Sequence, residues 1–174
     1  MDYKASYDLL IINPSKVDDA NAIAAKIKQN KQSYDEVETL IKVPWYVTGV
    51  VHYRESSLNF TRHLHNGDKL TARTVHVPAG YPKTGNPPFT WIESAVDALK
   101  LKAWHTCSDW SIENTLNLIE RYNGLGYKKK GLPSPYLWSW SDLYHKGKYV
   151  ADGKFDPNYV DEQCGAAVLL KLLM

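Results

Sequence analysis

The sequence predicts a mainly α-helical chain of one domain, with a small loop or β-hairpin lobe beside a cleft. Helix start signals recur along the chain, and one long stretch, residues 57–88, lacks any helical period and is rich in turn-forming residues. The length of 174 residues fits a single domain that can bury a sizeable core. The sequence has no repeat, linker or low-complexity run that would divide it.

Two helices are predicted before residue 42. Ser15 with Asp18 opens the first, and Ser33 with Glu36 forms a capping box that opens the second. We expect this N-terminal segment, residues 1–43, to pack on the rest of the domain.

The third predicted helix, residues 45–54, is the most informative element. Pro44 suits its start, because the first N–H of a helix has no intrahelical partner. The helix is apolar around most of its circumference, so it should be central. Glu55 lies at its C-terminal end, directly before the irregular stretch, in which residues 74–77 are a candidate strand. That stretch should form one wall of a cleft beside Glu55.

The second half of the chain predicts further helices. Thr90 with Glu93 forms a capping box for one of them, and Asp109 or Ser111 caps the next, which ends at Gly124. Two more are predicted towards the C-terminus, over residues 139–145 and from Asp161 to Leu173.

Charge and hydropathy exclude several classes of partner. A net charge of +2 with 23% charged residues is ordinary for a soluble protein and does not favour nucleic acid, although it suits an anionic polymer such as a bacterial cell wall. The most apolar segment, residues 166–170, is far shorter than the ~20 residues that cross a bilayer, so we expect no stable membrane insertion. Cys107 and Cys164 lack CxxC spacing, which favours two buried free thiols over a structural disulfide and leaves their pairing open.

Aromatic residues are abundant, with 6 Trp and 12 Tyr. Several of them cluster at residues 136–140. Tyr and Trp combine a flat apolar face with a polar group, which suits either a core or a groove for sugars. The sequence leaves both interpretations open for this cluster.

Glu55 is the leading candidate for catalysis. A carboxylic acid with apolar neighbours can keep its proton near neutral pH and donate it to a leaving oxygen, as a glycosidase requires. The alternative is a glutamate on the solvated last turn of a helix.

Two short motifs in this order resemble the lysozyme-like superfamily, in particular goose-type lysozymes, lytic transglycosylases and phage endolysins. They are Glu55-Ser56 after the buried helix and Tyr122-Asn123-Gly124 at the end of a later helix. The resemblance spans roughly residues 44–171. It implies a single lysozyme-like catalytic domain over residues 1–174. The Gly-Leu-Met-Gln-like segment usual in transglycosylases of this type is absent, and His63 to His76 stand in its place.

The resemblance implies a peptidoglycan glycosidase that cleaves the β-1,4 bond between N-acetylmuramic acid and N-acetylglucosamine. Glu55 would be the general acid, Ser56 its hydrogen-bonding support, and Asp68, on an Asn-Gly-Asp turn, the activator of water. Glycan strands of peptidoglycan would be the partner of a monomer that needs no cofactor or metal. The residues expected to bind substrate are Tyr122, Asn123, Tyr136, Trp138, His65 and Thr74.

Three alternatives remain open at this point. A lytic transglycosylase would use the same Glu55, with the 6-hydroxyl of the sugar in place of water. A zinc-dependent cell-wall amidase or peptidase would use His63 and His65 of the loop, together with His52, His76 and Asp68, although no HExxH spacing is present. A glycan-binding module without catalysis would keep only the aromatic groove.

The N-terminal residues lack the charged and then apolar pattern of a secretory signal. We therefore expect synthesis in the cytoplasm and action on the cell wall after release, with a pore-forming partner such as a phage holin giving access.

Overall fold

The protein is mainly helical and has one small antiparallel sheet in the part of the chain that the structure describes. The structure is a computed structural model that describes residues 2–151 and 153–174. None of the helices in these two ranges is long and apolar enough to cross a membrane. The helices are α1 (Tyr3–Leu9), α2 (Val17–Gln29), α3 (Lys31–Ile41), α4 (Trp45–Ser56), α5 (Trp91–Leu101), α6 (Ile112–Asn123), α7 (Gly126–Lys129), α8 (Pro135–Trp138) and α9 (Ala166–Leu173). The strands are β1 (Lys148–Ala151) and β2 (Lys154–Asp156).

The chain divides into two compact units. Unit 1 consists of Met1–Ala25 and Asp109–Met174, and unit 2 of Lys26–Ser108. The sequence places both units in one domain, and that assignment stays a prediction.

Unit 2 is built on α4, which packs on α3, while α3 also packs on α5. Val47, Val50 and Val51 of α4 are fully buried, as the apolar sequence of this helix predicts. Gly49 permits a close approach, because a Cβ there would lie 2.5 Å from Cγ2 of Ile27. The central position predicted for this helix is therefore found within unit 2.

The segment between α4 and α5 is a long loop that is fixed by its own hydrogen bonds. The Phe89 N–H donates to the Leu70 carbonyl at 2.9 Å, and the His63 N–H donates to the Asp68 carbonyl at 2.7 Å. Leu64 and Leu70 are buried beneath it. The loop is thus an ordered structure without regular elements, as its turn-rich sequence indicates.

Unit 1 contains α1 and the elements from α6 onward. In it, α6 contacts α1, α8 and α9, and α8 also contacts α9. Gly165, which precedes α9, lies against the backbone of α8, because a Cβ there would come within 2.4 Å of the Leu137 carbonyl oxygen. The strands pair with Tyr149 opposite Phe155, and both rings contact Tyr127.

Several helix ends follow the sequence signals. Both hydrogen bonds of the Thr90–Glu93 capping box are formed, and Ser111, rather than Asp109, caps α6. Pro44 is the N-cap residue of α4 instead of its first helical residue. Local capping chemistry therefore locates these boundaries to within one or two residues.

Other predictions are wrong. The paired strands are Lys148–Ala151 and Lys154–Asp156, and residues 74–77 form no strand. Helix α3 begins at Lys31, so Ser33 is inside it; a helix at 135–138 replaces the one predicted at 139–145; and α9 begins at Ala166 instead of near Asp161. In the last two cases hydrogen bonds keep the backbone out of a helix: Ser141 Oγ donates locally to the Trp138 carbonyl, and the Asp161 N–H donates to the distant Tyr144 hydroxyl.

Candidate functional site

Glu55 occupies the last turn of α4, where the buried helix reaches the surface of unit 2. Its side chain is half-buried. The helix ends abruptly after it, since Ser57 and Leu58 both have positive φ angles, 52° and 63°. Two successive non-glycine residues in the left-handed region carry a conformational cost, and such costs concentrate at functional sites.

The turn that contains Asp68 packs against the end of this helix. A Cβ at Gly67, which has a φ of 78°, would lie 3.1 Å from the Glu55 carbonyl oxygen. Glycine therefore suits this position on two grounds, its backbone conformation and its proximity to α4. Arg62 adds to the order of the turn by donating from Nη1 to the Gly67 carbonyl at 3.1 Å. The backbone of the Asp68 turn thus lies beside the last turn of α4.

The Asp68 carboxylate is engaged with its own loop. Its Oδ2 accepts from the N–H groups of Val75 and His76 at 2.8 and 3.0 Å, and its Oδ1 accepts from Nδ1 of His76 at 2.6 Å. Burial acts to raise the pKa of Asp68, but these hydrogen bonds outweigh it and lower the pKa to about 2. A carboxylate with so low a pKa is a weak base, which disfavours the predicted activation of water.

Ser56 follows Glu55 but its hydroxyl turns back to the helix. Its Oγ donates to the His52 carbonyl at 3.3 Å. This is the common i to i−4 bond of a serine near a helix end. The Ser56 hydroxyl thus donates to its own helix. The predicted support of Glu55 would instead need this hydroxyl to bond to the Glu55 carboxyl.

His63 and His65 belong to a buried hydrogen-bond network. His63 Nε2 donates to the Ala72 carbonyl at 2.8 Å, and its Nδ1 accepts from the Ser94 hydroxyl at 2.8 Å. His65 Nε2 donates to Asp97 Oδ1 at 2.8 Å. Burial lowers the pKa of His65, and the Asp97 carboxylate opposes that shift. These bonds join the loop to Ser94 and Asp97 of α5. Because His65 is buried, it has a structural role here in place of the predicted contact with substrate.

Thr74 is also buried within this loop. Its Oγ1 donates to the Pro78 carbonyl at 2.6 Å and accepts from the Tyr81 N–H at 3.0 Å. Both roles of the hydroxyl are thus used to close the turn that begins at Thr74. The predicted contact of Thr74 with substrate gives way to this structural role.

The four predicted groove residues of unit 1 differ in exposure. Asn123 is exposed at the end of α6, but Tyr122 is 8% exposed. Tyr136 and Trp138 are 4% and 1% exposed, so they are core residues of unit 1 and offer no face to a sugar. The burial corrects the groove interpretation for these two, because α8 packs on α6 and α9.

Two aromatic environments, one around His52 and one around Trp140, become visible only in the structure. His52 is fully buried among Tyr34, Phe60 and Trp91 in unit 2, with its ring centroid 4.6 Å from that of Phe60 and 4.5 Å from that of Trp91. In unit 1, Trp140 is half-buried and lines a cavity. Trp140 belongs to the aromatic cluster at residues 136–140, but composition alone does not indicate which member reaches the surface.

A metal centre is not assembled by the loop histidines. Within residues 2–151 and 153–174, no group of three or more His, Cys, Asp or Glu side chains is close enough to hold an ion. His63 uses both ring nitrogens in the hydrogen bonds above. His76, the most exposed of the three histidines, bonds to Asp68 instead of to His63 or His65.

Comparisons of the chain with protein-family models, with curated proteins and with solved structures find no match.

Proposed function

We propose that this protein is a lysozyme-like peptidoglycan glycosidase with Glu55 as its general acid. The substrate is the glycan strand, and the bond cleaved is the β-1,4 link between N-acetylmuramic acid and N-acetylglucosamine. The resemblance of the Glu55-Ser56 and Tyr122-Asn123-Gly124 motifs to the lysozyme-like superfamily supplies the reaction class.

The observation that carries the proposal is the placement of Glu55. It lies half-buried where the central helix of unit 2 ends, and the turn at Gly67 packs on its backbone. A general acid must be sheltered enough to keep a proton and open enough to touch the leaving oxygen. A half-buried position at the end of a packed helix is the placement that such an acid requires, and the Gly67 turn packs on the Glu55 backbone.

In this reaction Glu55 donates its proton to the glycosidic oxygen as the bond to the sugar ring breaks. The ring then carries positive charge that a nucleophile must relieve. In a hydrolase, water attacks with the help of a second carboxylate about 6.5–9.5 Å away if the configuration inverts. Asp68, on the turn that packs against the end of α4, is the residue that the sequence proposes for that role.

A lytic transglycosylase is the second candidate, and the hydrogen bonds of Asp68 favour it. Both carboxylate oxygens already accept from Val75 or His76, and the pKa near 2 makes Asp68 a poor base. A transglycosylase needs no water-activating carboxylate, because the 6-hydroxyl of the sugar attacks within the same residue. Glu55 then serves first as acid and next as base.

The test of Glu55 is the substitution Glu55→Gln, assayed by the release of soluble fragments from purified bacterial sacculi. Glutamine keeps the size and hydrogen bonding of the side chain but cannot donate the proton. We expect release to fall about 100-fold or more, the usual contribution of a general acid. Binding to sacculi and the circular dichroism spectrum should stay unchanged.

Glu36→Gln is the matched control, because Glu36 is an exposed glutamate on α3 of the same unit. Its release rate should equal that of the wild type. Wild-type release by Glu55→Gln would remove Glu55 from the mechanism. Absence of release by the wild type together with tight, saturable binding to sacculi would favour a binding module.

A further inference from the structure

Unit 1 contains a cavity of about 410 Å³ that none of the roles above uses. Its volume lies within the ~300–1,000 Å³ typical of small-ligand sites. Three segments form its walls: the chain before α2, the turn after α8 and the chain after β2. The side chains that matter for its chemistry are Asn13, Lys16, Trp140, Tyr144, His145 and Glu162.

Hydrogen bonds preform the cavity. The Asn13 N–H donates to the Trp140 carbonyl at 2.9 Å, and the Asp142 N–H donates to the Ile11 carbonyl at 3.0 Å, so the first two walls are joined backbone to backbone. Ser139 Oγ joins the third wall by donating to the Asp161 carbonyl at 2.9 Å. A ligand would therefore meet walls that are already ordered, which lowers the entropic cost of binding.

Trp140 occupies this cavity at a conformational cost. Its φ angle is 70°, in the left-handed region that a bulky side chain rarely adopts. Its indole Nε1 is buried and has no hydrogen-bond partner among the described residues. Strain and an unsatisfied donor at one residue are uncommon in a site that serves packing alone, because a glycine would remove both.

The charges around the cavity exclude several ligand classes. The Nζ of Lys16 lies 4.8 Å from the centre of the Trp140 ring. Its charge would repel a cationic ligand, and the charge of Glu162 would repel an anion such as phosphate. The carboxylate of Asp161 is neutralised by Lys148 at 2.7 Å. A lipid chain would displace the water around Lys16 and Glu162 and offer these side chains no hydrogen bonds in return. A neutral ligand with an apolar face and many hydroxyls remains.

We propose that this cavity is a saccharide-binding site, in which the Trp140 ring receives the apolar face of a sugar. Asn13, His145 and Glu162 supply both donors and acceptors for hydroxyl and acetamido groups, and the flexible Lys16 can turn from the ring to a hydroxyl. The identity of the sugar as an N-acetylglucosamine-containing glycan rests on the proposed function; the cavity itself does not depend on Glu55.

The probe is chitotetraose, a neutral oligomer of N-acetylglucosamine, titrated by calorimetry into the full chain carrying Glu55→Gln to prevent cleavage. Adding Trp140→Gly removes the ring while glycine accepts the φ of 70° without strain. We expect one class of binding sites in the isotherm to weaken at least tenfold, with any binding at the Glu55 region unchanged and the melting temperature within a few degrees of the parent. Trp110→Leu is the control, because Trp110 is half-buried in the same unit and outside the described cavity lining, and its affinity should stay within twofold.

A nuclear magnetic resonance titration locates the bound sugar in a protein whose cavity residues are unchanged. In a ¹⁵N-labelled sample, the indole N–H signal assigned to Trp140 by its loss in Trp140→Gly should shift on adding chitotetraose and stay still on adding maltotetraose at the same concentration. A shift confined to other residues, or an affinity unchanged by Trp140→Gly, would overturn the site.

The experiments distinguish failure of the catalytic role of Glu55 from failure of the saccharide site at Trp140. Full wall degradation by Glu55→Gln removes the catalytic assignment and leaves the Trp140 measurements to decide the cavity. Loss of degradation in Glu55→Gln with normal binding by Trp140→Gly removes the saccharide site alone.

Discussion

At the scale of single residues, His52 shows how the end of α4 is held. Its Nδ1 lies 3.1 Å from the Tyr34 hydroxyl, which joins α4 to α3, and its ring contacts Phe60 of the loop and Trp91 of α5. The residue is fully buried one turn before Glu55. Its packing therefore fixes both the last turn of the helix and the direction of the chain after it.

His52 makes stability depend on pH. Burial lowers its pKa from 6.5 to about 4, against a weak opposing interaction with the Asn59 backbone. Between these two values the unfolded chain binds a proton that the folded chain does not, so the folded state loses stability as the pH falls from 6.5 to 4. The contribution is on the order of 3 kcal/mol.

His52→Gln removes this titration and should flatten the pH profile. We expect the variant to be less stable than the wild type at pH 7, because packing is lost, and the gap to narrow by on the order of 3 kcal/mol at pH 4. Urea unfolding at pH 7, 5.5 and 4 measures it. His105→Gln, at an exposed histidine, should keep the wild-type profile. A gap that stays constant with pH would mean that His52 does not titrate as described.

The sequence does not predict which individual side chains of an aromatic cluster are exposed. The cluster from Tyr136 to Trp140 was identified from composition, yet Trp138 is 1% exposed and Trp140 is half-buried at a cavity. Trp140 has a positive φ of 70°, and no local propensity predicts that angle for tryptophan. The acidic turn of Asp68 was located correctly, but its partners Val75 and His76 required the folded loop.

At the scale of elements, the close approach of α4 to its neighbours rests on Gly49. A Cβ there would lie 2.5 Å from Cγ2 of Ile27 and 3.2 Å from Cε2 of Tyr34. Both neighbours are fully buried, so neither can move without disturbing the core. The glycine is thus a packing requirement in the middle of a helix, where propensity alone disfavours it.

Gly49→Ala sets these two effects against each other. Alanine gains about 1 kcal/mol in helix propensity, while overpacking a core costs about 1–3 kcal/mol. We expect a net destabilisation of about 1 kcal/mol, measured by urea unfolding at pH 7. In an Ile27→Ala background, which lacks Cγ2, the same substitution should be neutral or stabilising. Stabilisation of the wild-type protein by Gly49→Ala would contradict the close packing.

Elements were predictable where a local signal decides the outcome. The α5 start is encoded by Thr90 and Glu93, which bond to each other across one turn, and the burial of α4 follows from its apolar circumference. The hairpin at 148–156 was missed because strands of three and four residues leave too few positions for an alternating pattern. The long loop was recognised as irregular, but its order comes from non-local bonds such as His63 to Ser94.

At the scale of the whole molecule, the two classes of wall enzyme predict opposite responses to a chelator. The described residues contain no cluster that could hold a zinc ion, and His65 is paired with Asp97. We expect the release of fragments from sacculi to stay within twofold of its original rate after incubation with EDTA. Complete loss that zinc restores would overturn the glycosidase assignment in favour of an amidase or peptidase.

The most direct test of the central claim is mass analysis of peptidoglycan digested by the wild type and by Glu55→Gln. We expect muropeptides cut between the two amino sugars in the wild-type digest, with reducing ends for a hydrolase or anhydro ends for a transglycosylase, and almost none from the variant. Peptides freed from intact glycan strands, or the same glycan fragments from Glu55→Gln, would contradict it.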